Sequence, residues 1–521
     1  MTQRDTPVRH IAVAALLIAI GNITSRLIGV IREAVLAATF GRGAELAAFT
    51  AASTIPTMVY DMLVSGAITA ALVPVFSRIA SHDDERDELL SRVLSLMLVI
   101  VSIIVAPLLL FAPLVVRMIA AGFDDTLQAL TTTMIQWMLL AVPCMIIAGV
   151  MTAVLQARQQ FVFPAFVTSV FNIGIIIATV LFAPIFGAVA LALGMVLGAL
   201  LQVGLQWYGL RQSRIQWRHD WNHPTIHEII RLYAPVAIGM GFSAIGTLID
   251  RRYASEYGAT VLPTMRYATT LIQFPLGLVS TAVSAAILPA LSRLQTIEQH
   301  EDFRTTVGTA LTVVIALIVP ASVVLWLVRE PLTAIILQRN AFSADDTRAV
   351  ATTIGYYLPG LPAAAVGQIL LMACYARGST LVPNIIQGGA IVAYVLAVQL
   401  AIPWFGRSAE TLAFANSIQL IAHVVMMVIL CHRLFDLRGL AITTTMIGCV
   451  MAAAVTWCMV QAALVVLPPM TGVLQLVLVA PVTGIVYVIT AQLLGITPVR
   501  YATTLLWNRV RTMLGRVTVQ P

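Results

Sequence analysis

VLSLMLVIVSIIVAPLLLFAPLVV, residues 93–116, runs for twenty-four residues without a charge. As a helix it covers about 36 Å, more than the roughly 30 Å of a bilayer's hydrocarbon core. Residues 163–182, 186–203 and 307–328 are further long apolar runs. The apolar residues come in blocks and do not alternate as they would in barrel strands, so the blocks read as membrane-spanning helices. The rest of the chain agrees: of 521 residues 60% are hydrophobic and 10% charged, against about 25% charged in an average soluble domain. The reading is an all-α integral membrane protein.

Fourteen spans are expected, near residues 10–38, 46–79, 89–118, 126–157, 161–183, 187–210, 227–255, 260–292, 304–328, 347–376, 381–403, 410–433, 440–466 and 473–496. An even number puts both termini on one side. With that side cytoplasmic, nineteen arginines fall at inner ends or loops and eight outside, while Arg26, Arg32 and Arg266 stay within spans. This asymmetry follows the positive-inside rule. Arg4 and Arg9 precede an apolar run that continues past Arg26 with no clear small-residue cleavage site, which reads as an uncleaved first span. The expected place is a cytoplasmic membrane, multi-pass, with both termini inside.

The chain repeats itself. Ala71-Leu-Val-Pro74-Val-Phe-Ser-Arg78 echoes Ala286-Ile-Leu-Pro289-Ala-Leu-Ser-Arg293; Gln156-Ala-Arg158 with Pro164 echoes Tyr375-Ala-Arg377 with Pro383; Pro143 echoes Pro362. The matches keep chain order at an almost constant offset. They divide the chain into a first lobe, 1–210, a polar linker, 211–226, a second lobe, 227–433, and two extra spans with a basic tail, 434–521. An even number of spans separates the copies, so two pseudosymmetric six-helix lobes of parallel topology are expected, as in transporters built from parallel repeats.

All thirty basic residues are arginine, and the net charge is +7. That balance suits an anionic leaflet; no basic stripe interleaved with aromatics points to nucleic acid. Cys144, Cys374, Cys431, Cys449 and Cys458 lie in or beside apolar runs and read as packing residues. His219, His223 and His227 have a spacing worth checking for a metal, but Pro224 interrupts it and an interfacial loop is the plainer reading. There is no phosphate-binding G-x-x-x-x-G-K-[ST] and no His/Cys/acid cluster for hydrolysis. No catalytic residue, metal or cofactor is expected; coupling would come from the membrane potential or a monovalent cation.

Charges inside the spans are the candidates for function, because each costs about 2.5–3.5 kcal/mol at mid-membrane. Span one carries Arg26, Arg32 and Glu33; Arg26 and Glu33 share a helix face, and Gly29 would let the helix bend to bring Arg32 round. Asp61 sits mid-way along span two, to pair with Arg26 or Arg32 or to hold a cation. Asp250 and Arg251 end span seven and Arg266 begins span eight; a solvated outer mouth is the alternative for these. Asn172, Gln273 and Gln368 add neutral polar groups at depth.

Several of these stretches, in order, resemble the MurJ (MviN) family of the MOP exporter superfamily. They are Ser25-Arg26-Leu-Ile-Gly29-Val-Ile-Arg32-Glu33, Phe40-Gly41-Arg42-Gly43, Pro56, Gly66-Ala67, Leu72-Val-Pro74, Pro164-Ala-Phe166 with Asn172, Ile249-Asp250-Arg251 and Phe274-Pro275-Leu-Gly277. The resemblance runs from about residue 20 to 400. It implies a flippase for a polyprenyl-pyrophosphate-linked glycan, lipid II in peptidoglycan synthesis, held in a cationic cavity by Arg26, Arg32, Arg251 and Arg266. Asp61, Glu33 and Asp250 would serve as ion or charge-pair groups. Membrane lipids and cell-wall synthesis proteins are the implied partners, and a bacterial inner membrane the implied place. The sequence departs from the family at Ala47, Tyr60-Asp61, Ser65 and Thr269-Thr270, where the family has charged residues; Arg266, one turn before Thr270, is the expected substitute. Two alternatives stay open: another MOP-type exporter, for polysaccharide units or amphipathic cations, and a transport-inactive cell-wall scaffold.

Overall fold

The computed structural model describes residues 5–65, 71–78, 83–213, 215–216, 218, 220–293, 300–379, 381–466, 472–501 and 503–504. Arg4, Gly66-Ala67, Arg214, Trp217, His219 and the tail arginines 509, 511 and 516 lie outside them. Regular structure among the described residues is helical throughout. In order the helices are α1 (Asp5–Phe40), α2 (Ala44–Tyr60), α3 (Val73–Arg78), α4 (Asp83–Leu110), α5 (Ala112–Ile119), α6 (Asp125–Leu139), α7 (Ala141–Ala157), α8 (Val162–Phe186), α9 (Val189–Gly209), α10 (Pro224–Glu256), α11 (Val261–Arg293), α12 (His300–Leu337), α13 (Ala344–Tyr357), α14 (Leu361–Ala376), α15 (Leu381–Phe405), α16 (Ala409–Phe435), α17 (Ile442–Val466) and α18 (Gly472–Leu493).

Ten stretches among the described residues are helical, long and apolar enough to cross a membrane. The other four expected spans correspond to α1, to α2 through α3, to α10 and to α11. These four carry the charges singled out above: Arg26, Arg32 and Glu33, then Asp61, then Asp250 and Arg251, then Arg266.

The repeat in the sequence recurs in the helix boundaries. Val162–Phe186 and Leu381–Phe405 are each 25 residues long, 219 apart, with Pro184 and Pro403 at matching places inside them. Helices α6 and α7 break at Leu140; α13 and α14 break at Leu358–Gly360, where prolines follow in both copies. The N-terminal caps correspond too. Asp124 accepts from Leu127 N at 2.8 Å, while Ser343 Oγ accepts from Asp346 N at 3.1 Å and Asp346 answers by accepting from Ser343 N at 2.9 Å. Such caps satisfy backbone donors that a first helical turn leaves unpaired.

The chain forms two compact units. One holds the chain up to Tyr267 with Leu337–Asp346 and Arg407–Ala409; the other holds the remainder. In the first, α8 and α9 meet backbone to backbone: a Cβ on Gly174 would lie 2.4 Å from Gly198 Cα. Helix α1 runs along α8 at equally close range, with Gly21 against the carbonyl of Ala165. Close approach through small residues is how helices pack where lipid removes the hydrophobic driving force. It also brings the Arg32 level of α1 beside Asn172 of α8.

In the second unit, Leu327 and Val328 of α12 pack with Val460 of α17 and Val479 of α18. Helices α14 and α16 share a seam of small residues: Gly360 faces Ser417, Gly367 faces His423 and Val424, and the thiols of Cys374 and Cys431 stand 3.5 Å apart. All five cysteines are free thiols. At the start of α10, His223 Nδ1 accepts from Thr225 N at 3.3 Å and His227 meets the His223 carbonyl, so both histidines serve that helix's first turn.

Candidate functional site

In the first unit two arginines converge on one carboxylate. Arg32 and Glu33 are neighbours on α1; Arg266 is in the second turn of α11. Arg32 donates to Glu33 Oε1 from Nε at 3.0 Å and from Nη2 at 2.5 Å. Arg266 donates from Nε to Oε2 at 2.9 Å and from Nη2 to Oε1 at 2.8 Å. Glu33 thus takes four charge-assisted bonds and is 2% exposed, while the side chains of Arg32 and Arg266 keep 20% and 15% of their surface. The carboxylate is sealed, while both arginine side chains keep part of their surface exposed. A buried charge without a partner is costly; here one anion holds two cations, and two Arg⁺ against one Glu⁻ leave the cluster at +1.

Neutral groups complete it. Asn172 of α8, 4% exposed, accepts from Arg32 Nη1 at 2.7 Å. Gly29 stands against the Asn172 amide, a Cβ there coming 3.7 Å from Nδ2. The Arg266 guanidinium lies over the Phe49 ring of α2 at 5.0 Å, a cation–π contact. Four helices therefore fix two planar forks, the geometry that grips phosphate oxygens in pairs.

The C-terminal end of α1 is bolted beside this cluster. Arg42 Nε meets Asp346 Oδ1 at 2.8 Å and its Nη1 donates to Thr264 Oγ1 at 3.1 Å. Tyr267 donates its hydroxyl to the Gly41 carbonyl at 2.9 Å and sets its ring edge-on to Phe342. Ala341 N donates to Ala38 O at 3.2 Å. Gly41 has φ +56°, and a Cβ there would lie 2.4 Å from the Ala341 carbonyl oxygen; only glycine fits both conditions. Because Thr264 and Tyr267 flank Arg266, this bolt fixes the register that delivers Arg266 to Glu33.

The other candidates fall elsewhere. Arg26 is half-buried on α1 and Asp61 is half-buried, and neither is an isolated charge. Asp61 opens a π-helical turn, Asp61–Ser65, against which α10 packs; such widened turns are frequent at functional sites. The acid on Arg32 is its own neighbour Glu33. Asp250 and Arg251 sit near the end of α10 at 3.8 Å, and Arg251 Nε is buried without a hydrogen-bond partner among the described residues. Arg252 pairs with Glu256 at 3.1 Å in a more exposed setting. Sequence reasoning named Arg32, Glu33, Arg266 and Asn172 separately and did not pair them. It met Arg42 as part of the family-like stretch Phe40-Gly41-Arg42-Gly43 and missed the bolt, because sequence carries no register between helices more than 200 residues apart.

The described residues form a multi-helix membrane protein with charged side chains held within its helical segments. The structure matches an inward-facing multidrug resistance MATE family transporter of the MOP superfamily at a TM-score of 0.64, with 13% identity, over 79% of this chain and 94% of that one. It matches a structure described as "Lipid II flippase MurJ, inward closed conformation" at a TM-score of 0.76, with 21% identity, over 92% of this chain and 98% of that one. The sequence model of the lipid II flippase MurJ family matches residues 36–506, and the chain belongs to that family. Its relatives include the probable lipid II flippase MurJ of Rhizobium meliloti (strain 1021), 28% identical over 74% of this chain and 73% of that one. The lipid II flippase MurJ of Burkholderia cenocepacia is 25% identical over 75% and 78%. Membership, with the ten apolar helical stretches, makes this a multi-pass protein of the bacterial inner membrane.

Proposed function

We propose that this chain moves lipid II, a polyprenyl-pyrophosphate-linked glycan, across the cytoplasmic membrane by alternating access, with Arg32, Glu33 and Arg266 as its headgroup site. The observation that carries the reading is the convergence of two half-buried arginines on one sealed carboxylate. Glu33 keeps both forks oriented while the site is empty. An arriving pyrophosphate offers more oxygens and more charge than one carboxylate, so it competes with Glu33 for the same guanidinium groups. When it leaves, Glu33 takes the forks back, and the arginines are not left as unpaired buried cations. Arg26 and Arg251 are further cationic contacts for the cargo; Asp61 and Asp250 are the charge-pair or ion groups that link the cycle to the membrane potential or a monovalent cation.

In this reading fourteen spans form two pseudosymmetric lobes, 1–210 and 227–433, joined by the linker 211–226 and followed by two more spans and a basic tail. Both termini are cytoplasmic. The repeated helix boundaries and the excess of arginines on one side support it. The prenyl chain stays in lipid, and no step breaks a covalent bond.

The test is complementation of a bacterial strain depleted of its own lipid II flippase. Wild type should restore growth, and Arg266→Ala, present at equal level in the membrane, should not. Growth restored equally by both would remove the triad from the function; no growth with a well-expressed wild type would remove lipid II as the cargo.

A further inference from the structure

Helix α16 carries His423 near the midpoint of its 27 residues, in an apolar span whose other titratable groups stand nearer its ends. An ionisable side chain at that depth marks a functional site by default. Its surroundings make it unusual within its own seam. The level before it is satisfied: Ser417 Oγ accepts from Gly360 N at 3.1 Å and donates to the Tyr356 carbonyl at 2.7 Å. The level after it pairs the Cys374 and Cys431 sulfurs. At the middle level the imidazole rests on the bare backbone of Gly367, where a Cβ would come 3.3 Å from Nδ1. Among the described residues it has no hydrogen-bond or ion-pair partner.

The elements packed around it offer little competing charge. Asp345, Asp346 and Arg348 stand at the N-terminal end of α13, away from the seam; the titratable groups nearer the ring are Cys374 and Tyr375 on α14, Tyr394 on α15, which meets α16 through Gly389 against Met426, and Tyr356 and Tyr357 at the end of α13 beside Ser417. None of these nearer groups is charged at neutral pH. Full charges on α14 to α16 and their caps stand at the ends, at Arg377, Glu410 and Arg433. A proton on this ring would place a positive charge at mid-depth in the second unit. Imidazole is the side chain whose charge changes between about pH 5 and 8.

We infer that His423 is a proton-binding site, seated on Gly367, whose occupancy sets the charge of the α14–α16 seam during transport. The transport half of this statement rests on the flippase reading; the binding half does not. Two measurements on the full-length protein in vesicles therefore separate them. In the first, histidine ring resonances of ¹⁵N-labelled protein are followed by NMR from pH 5 to 8. The ring whose signals are missing from His423→Gln should change protonation state over this range. A ring that keeps one protonation state over this range overturns the site. In the second, lipid II translocation is measured at fixed membrane potential under opposite pH gradients. Wild type should run several-fold faster in one direction of the gradient, and His423→Gln should give equal rates in both. A gradient response that survives the substitution overturns the transport role. If wild type moves no lipid II, the flippase reading fails while the ring titration still decides the site. Should His423→Gln not fold, Gly367→Ala keeps the ring but pushes it off its seat, and is expected to shift the midpoint of the titration; an unchanged midpoint contradicts the seat.

Discussion

Replacing Glu33 by Gln removes the carboxylate that Arg32 and Arg266 share. The glutamine keeps a single oxygen, so at least the bonds to the second oxygen position are lost, and its amide donors point at guanidinium donors. Two half-buried cations then lose the carboxylate they share, keeping among their contacts Asn172 and the Phe49 ring. Breaking a buried ion pair by removing one partner costs on the order of 3–5 kcal/mol, roughly two to four decades in the folded-to-unfolded ratio. Heat inactivation of a membrane protein is a rate, so the comparison is of inactivation half-lives at one temperature in detergent. Glu33→Gln should inactivate much faster than wild type. Glu33→Asp, which keeps the charge on a shorter arm, should fall between them. The same change raises the cluster from +1 to +2, so the variant that remains folded should bind inorganic pyrophosphate more tightly than wild type while translocating more slowly, having lost the group that reclaims the forks. A Glu33→Gln protein with wild-type half-life and wild-type pyrophosphate affinity would refute the shared-carboxylate account.

Gly41→Ala should cost more than the about 1–2 kcal/mol of a left-handed backbone, because a Cβ there would also lie 2.4 Å from the Ala341 carbonyl oxygen; it should shorten the inactivation half-life, and a wild-type half-life would contradict the bolt at the end of α1. Arg26→Ala should abolish translocation with the protein still in the membrane and Arg26→Lys should restore part, because a point charge lacks the planar fork; full activity of the alanine variant takes Arg26 out of the mechanism. Asp61→Asn should alter translocation, equally in sodium and potassium if Asp61 is a charge partner, and with loss of a wild-type ion or pH response if it is an ion site; wild-type behaviour under every condition removes both roles.

The membrane class and helical nature were legible because lipid imposes blocks of apolar residues, and residues 93–116 already carry that signature. The repeat was legible because turn residues such as Pro143 and Pro362, or Arg158 and Arg377 at the ends of α7 and α14, hold equivalent places in two copies. The site was legible one residue at a time. Charges inside apolar spans are costly enough to stand out, so Arg32, Glu33 and Arg266 could be named. Which acid meets which base could not, because it depends on the depth at which α1 and α11 are fixed. That depth is set by Gly41 against Ala341, Tyr267 on the Gly41 carbonyl and Arg42 on Asp346, none of which lies in an apolar run that draws attention to it. His423 escaped for the opposite reason: its meaning lies in the glycine opposite and in the absence of a described partner, neither of which is a sequence pattern.

The central claim is that the paired forks on Glu33 carry a pyrophosphate-linked glycan across the membrane. Translocation of fluorescent lipid II in vesicles containing wild type, Arg32→Ala, Arg266→Ala or the double variant tests it most directly. The account expects wild-type protein to move the lipid, each single variant to lose most of that rate, and the double variant to lose little more, because the two arginines act on one ligand as a unit. Translocation by the double variant at the wild-type rate would contradict it.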